Sequence, residues 1–213
     1  MLPKKKIMQA LSEMANLFPD AKRELIANNP FELLIAVILS AQTTDVAVNK
    51  VTPLLFALYP TSTALANADI SDVREKIRAI GLYRNKAKNI IAASKMLISK
   101  FNGEIPHSHS ELMKLPGVGR KTANVVLADA FGIPGIAVDT HVERIVKRLQ
   151  MVKQNANVLE VEEMLMKNIP KNLWMKMHHT MIFFGRYHCT AKNPKCPKCP
   201  LLIRMCKFGQ AKS

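Results

Sequence analysis

Apolar residues recur at three- and four-residue intervals along most of this chain, and no segment sustains the alternation that a half-buried strand requires. The spacing predicts helices over residues 31–41, 46–58, 71–80, 86–100, 122–130, 142–149 and 158–168. Ile7, Leu11, Met14, Ala15 and Phe18 carry the same period near the N-terminus. Pro60, Gly81, Gly103, Pro106, Gly132, Pro134, Gly135 and Pro170 fall between these segments, where helices stop or turn. An all-α fold of one or two domains follows, and 213 residues can bury its core without disulfides.

Charge narrows the partners. Lys and Arg outnumber Asp and Glu by 31 to 16, a balance that points first to nucleic acid and second to a membrane surface. The longest apolar run, residues 33–39, is far short of the about 18 residues a membrane span needs. Gln9, Ser12, Glu13 and Asn16 interrupt any signal-peptide core behind the basic start. A soluble, cytoplasmic protein is expected and, with no heptad seam, a monomer.

Residues 111–115 predict a short helix capped by Ser110, ended by Pro116-Gly117-Val118-Gly119 before Arg120-Lys121-Thr122-Ala123 opens another. Glycines permit close approach, so the turn's amides and the second helix's positive end can converge on one phosphate. This is a helix-hairpin-helix grip on a DNA backbone, which reads no bases. A P-loop is excluded because it wants Gly where Arg120 stands, and a dinucleotide fingerprint because it wants Gly where Thr122 stands.

An amine attacks a sugar carbon only when neutral, whereas a free lysine has a pKa of about 10.4. The helix's positive end and Arg120 both disfavour an ammonium at Lys121, the way Schiff-base lysines are made. By position alone, Lys121 is equally a phosphate contact. Asp139 or Thr140 caps the helix of Val142, Ile145, Val146 and Leu149, with Glu143 completing a box from Thr140. A capping carboxylate is rigidly held, so Asp139 can also take a proton or stabilise charge developing on a sugar.

All four cysteines lie in the segment 189–206, with six, two and six residues between Cys189, Cys196, Cys199 and Cys206. So local a set suits a metal centre rather than a disulfide framework. Tetrahedral zinc and a [4Fe–4S] cube both accept four thiolates; a single close pair, Cys196 and Cys199, favours iron–sulfur. Such a centre would order a loop poor in apolar residues and present Lys192, Lys195, Lys198, Arg204 and Lys207 as a basic surface. His178, His179 and His188 read as surface or packing residues, because four cysteines already complete a centre.

Taken together, Leu39-Ser40-Ala41-Gln42-Thr43-Thr44-Asp45, Gly81-Leu82-Tyr83, Leu115 to Ala123, Val138-Asp139-Thr140-His141 and the terminal cysteines resemble the endonuclease III family along nearly the whole chain. The resemblance implies a helix-hairpin-helix DNA glycosylase fold. Residues 22–133 would form a six-helix domain, with the hairpin at about 110–130. Residues 1–21 and 134–213 would form an iron–sulfur domain, with its cluster loop at 189–206. It implies a [4Fe–4S] cluster on the four cysteines, Lys121 as Schiff-base nucleophile and Asp139 as its support. Gln42 and Leu82 would plug and wedge the duplex where a nucleotide is extruded, and Gly117, Val118, Gly119, Arg120, Thr122 and His141 would contact DNA. The implied partner is double-stranded DNA bearing damaged pyrimidines or AP sites. One departure is the last cysteine interval, commonly one residue shorter in the family. Adenine glycosylases of the same superfamily lack the hairpin lysine, so Lys121 weighs against them. A non-catalytic module that uses the hairpin only for grip is the alternative from another class.

Overall fold

The computed structural model describes residues 2–201 and 205–210, and among them there are helices and no strands. The chain divides into two units, one of Met1–Lys22 with Pro134–Ser213, the other of Arg23–Ile133. In chain order, α1 (Lys4–Leu17) belongs to the first unit. The second holds α2 (Pro30–Leu39), α3 (Asp45–Leu58), α4 (Ser62–Ala66), α5 (Ile70–Lys76), α6 (Tyr83–Phe101), α7 (His109–Leu112) and α8 (Arg120–Phe131). The first resumes with α9 (Thr140–Arg148), α10 (Val158–Asn168), α11 (Trp174–Phe183) and α12 (Lys207–Gln210). The second unit therefore has seven helical segments, six when the single turn of α7 is set aside.

α2 is the axis of the second unit. Every residue from Phe31 to Leu39 is buried, and a helix apolar on all sides must be surrounded; α3, α6 and α8 pack around it. Each of its fully buried leucines contributes about 1.5–3 kcal/mol. The helix starts where Asn29 accepts the Glu32 amide and Pro30 takes the first position. Glu32 is itself buried, and its Oε2 is satisfied by Asn28 N at 2.7 Å and Asn28 Nδ2 at 2.9 Å. In the first unit, Ile7, Leu11 and Met14 of α1 share a core with Val142 and Ile145 of α9, Leu165 of α10 and Met181 of α11.

Several boundaries differ from the sequence expectation: α2 ends at Leu39 rather than at 41, α6 begins at Tyr83 rather than at 86, and α4 and α11 form outside the expected helices. α5 ends at Lys76, because Ile80 N bonds Ile77 O in a turn that still buries both isoleucines, so the apolar period outlasts the helix. α7 is capped by Ser108 rather than Ser110: Ser108 Oγ accepts from Glu111 N at 3.3 Å and lies 2.5 Å from Glu111 Oε2, to which it donates.

Candidate active site

The hairpin is anchored from below and open above. Leu112, Leu115 and Val118 are buried in the core of the second unit, pinning the turn between α7 and α8. Gly117 takes φ +82°, and a Cβ there would stand 3.0 Å from Asn89 Cβ and 3.1 Å from Ile38 Cγ2, so the turn closes only with glycine. Gly119 caps α8 with extended backbone and has open space where a Cβ would be. Gly119 has no side chain with which to cap α8, and a helix N-terminus begun in this way is suited to an outside acceptor such as phosphate. Arg120 and Lys121 stand exposed in this first turn, and Thr122 is half-buried.

Gln42 and Leu82 belong to the same unit. Gln42, in the loop after α2, has φ 53°, and Leu82, the residue before α6, has φ 58°. Both are exposed, Leu82 by 55% despite its apolar side chain.

In the first unit the buried Ile136, Ala137 and Val138 lead into Asp139. Asp139 alone caps α9: its Oδ1 accepts from His141 N and Val142 N, each at 2.8 Å. The capping box expected from Thr140 does not form, because Glu143 pairs instead with Lys147 Nζ at 2.6 Å. Both cap bonds fall on Oδ1, which leaves Oδ2 outside the cap. His141 is half-buried, and burial holds its pKa below the usual histidine value; Arg144 and Arg186 push the same way, while Asp139 opposes them. The neutral ring accepts Arg144 Nη2 at Nδ1, 3.1 Å away. Behind it, α11 widens into a π-helical turn, Phe184–His188, where a Cβ on Gly185 would meet His141 Cβ at 2.7 Å. Glycine there lets the turn press against the start of α9.

That turn delivers the cysteines. Cys189, Cys196, Cys199 and Cys206 are free thiols lining one pocket with Ile145, Phe184 and Leu201. Burial lifts the Cys199 thiol to about 11, and the other three cysteines push it further in that direction. Four thiolates crowded together need a multivalent cation to neutralise them. Among the described residues no three His, Cys, Asp or Glu side chains gather as ligands of one ion. Four thiols around one pocket are a donor set that a thiolate-ligated metal centre can use, whether tetrahedral zinc or a [4Fe–4S] cube. In the interval before Cys206, Met205 N and Cys206 N both donate to Leu201 O.

Two arginines that the sequence reading passed over hold this loop. Arg148 donates to Cys189 Sγ at 3.2 Å, Thr190 O at 2.8 Å and Ala191 O at 3.0 Å, and it lies over the Phe208 ring. Arg144 donates to Cys189 O at 3.1 Å and Gly185 O at 2.7 Å. No local pattern signals them, since their partners lie more than 40 residues further along the chain. Lys192, Lys195, Lys198 and Lys207 are exposed, whereas Arg204 lies outside the described residues. His178 and His188 are buried, and His188 stacks on Phe184 with ring centroids 5.0 Å apart.

Residues 35–171 match the model of the HhH-GPD superfamily of base excision DNA repair proteins. Endonuclease III of Bacillus subtilis (strain 168) is 52% identical over 210 residues, covering 99% of this chain and 95% of that protein. A non-covalent endonuclease III–DNA complex superposes with a TM-score of 0.97 at 57% identity, over 100% of this chain and 99% of that one. A trapped endonuclease III–DNA covalent intermediate matches with the same TM-score, identity and coverage. With identity this high running the length of both proteins, the chain belongs to the endonuclease III family of the HhH-GPD superfamily.

Proposed function

We propose that this chain is a bifunctional DNA N-glycosylase and AP lyase of base excision repair. It removes oxidised pyrimidines of the thymine glycol type from double-stranded DNA in the cytoplasm and cuts the strand 3′ to the resulting site. The observation that carries this reading is Lys121, exposed in the first turn of α8 directly behind the Gly117–Gly119 turn, with glycine as the N-cap of the helix. The covalent capture of endonuclease III on DNA supports it.

Phosphate bound at the Gly117–Gly119 turn and the start of α8 sets the DNA beside the amine. Neutral Lys121 Nζ bonds to C1′ as the C1′–N bond breaks, and the base departs with a proton. Opening of the sugar ring gives an iminium. Loss of the C2′ proton then drives cleavage of the C3′–O3′ bond, releasing the downstream strand with its 5′-phosphate, and water hydrolyses the imine to restore the lysine. Asp139, clamped through Oδ1, has Oδ2 to offer to a migrating proton or to positive charge on the sugar.

The four cysteines would hold one [4Fe–4S] cluster. When bound it neutralises the thiolates and orders a loop with little apolar surface of its own. Chemical analysis is expected to find about four irons and four acid-labile sulfides per chain; one zinc and no sulfide would overturn the assignment.

Borohydride trapping tests the activity. Mixed with duplex DNA bearing one thymine glycol and reduced, the protein is expected to run as a covalent DNA complex on a denaturing gel. Base release without an adduct would mean a water-using monofunctional glycosylase, and neither product would leave a binding module.

A further inference from the structure

Lys86 lies in the first turn of α6 and is only 4% exposed, a rare place for an ammonium. Burial pushes its pKa down, and no carboxylate contributes to holding the charge. A methionine of similar length would fill the same space without the desolvation penalty. What the amine does there is donate to Thr43 Oγ1 at 2.6 Å, a bond across 43 positions of sequence. Its backbone is committed as well, since Lys86 N donates to Leu82 O at 3.0 Å.

One residue thus ties together two of the four segments, the Gln42 loop and the Leu82 turn, that hold an exposed non-glycine side chain in left-handed backbone. Thr43 follows Gln42, and its N bonds Ser40 O at 3.0 Å, so fixing Thr43 fixes the loop. Gly81 precedes Leu82, and a Cβ there would lie 3.9 Å from both Gln42 O and Thr43 Oγ1, so loop and turn touch. Positive φ at non-glycine residues persists only where the surroundings enforce it. Lys86 is placed to enforce it at both.

We infer that Lys86 is a positioning residue: through Thr43 it locks the Gln42 loop against the Leu82 turn, so that plug and wedge enter the duplex as one rigid pair. This rests on the reading of Gln42 and Leu82 as DNA contacts. Such a role acts only when an opposite strand must be held open, which separates it from general stability.

The test measures single-turnover release of thymine glycol from duplex and from single-stranded DNA by Lys86→Met, Thr43→Val and the double variant, with melting temperatures alongside. Each single variant is expected to slow the duplex reaction about tenfold. The double variant should be no slower than Lys86→Met, and the single-strand rate should be unchanged. Losses that multiply, equal losses on both substrates, or no loss would overturn the proposal. Thr43 is half-buried, so Thr43→Val carries the test even if Lys86→Met fails to fold. Gln42→Ala and Leu82→Ala run in parallel. If both keep the full duplex rate, the reading of the contacts fails and the inference with it; if they slow it while Lys86→Met and Thr43→Val do not, the inference alone fails.

Discussion

Lys121→Ala is expected to remove the borohydride adduct entirely and to lower strand cleavage by roughly 10³-fold or more, the scale on which enzymes lose activity with their nucleophile. Duplex binding should persist within about tenfold, since a single cation is lost while the Gly117–Gly119 turn and the glycine-capped start of α8 remain. The fold should be untouched, because Lys121 is exposed on a helix where alanine is the best former. Gel trapping, a cleavage time course and a binding isotherm on the same lesion duplex check the three parts. Full cleavage by this variant would remove Lys121 from the chemistry and leave it a phosphate contact.

Asp139→Asn separates the two roles of the carboxylate. Asparagine caps helices as well as aspartate does, so its Oδ1 can keep the bonds to His141 N and Val142 N, and stability should change by only a few tenths of a kcal/mol. Activity should nonetheless fall about 10²-fold, because an amide neither accepts a proton nor offers a negative charge. Asp139→Ala loses the cap too, at about 1 kcal/mol. Thermal melts of both variants beside single-turnover rates decide the matter. Should Asp139→Asn retain its activity, Asp139 is a cap and nothing more.

What could be read in advance follows the range of the interactions. α2 was legible because its run of apolar residues, all buried from Phe31 to Leu39, leaves few alternatives, and the hairpin because Gly117 stands in a turn that only glycine closes, two residues before the glycine that caps α8. Caps were legible to within two residues. Ser108 and Ser110 compete for one helix start, and only the spacing of Ser108 to Glu111 favours the winner. Asp139 displaced Thr140 in the same way, freeing Glu143 for Lys147. Lys86 to Thr43, Arg144 to Gly185 and Arg148 to Ala191 were not legible, since each spans more than 40 residues and no local pattern announces a side chain that bonds far along the chain. The assembly of four cysteines around one pocket was expected from their number, but the arginines that hold the loop were not.

Arg148 and Arg144 reach the cysteine loop mostly through main-chain oxygens, Cys189 O, Thr190 O and Ala191 O, and Arg144 holds the preceding π-helical turn through Gly185 O. A carbonyl is presented whatever side chain sits beside it. The residues between Cys189 and Cys196 can therefore be exchanged for one another over generations without loosening their anchor, provided their number is kept. A surface held this way can be retuned for charge and reach while its foundation stays fixed.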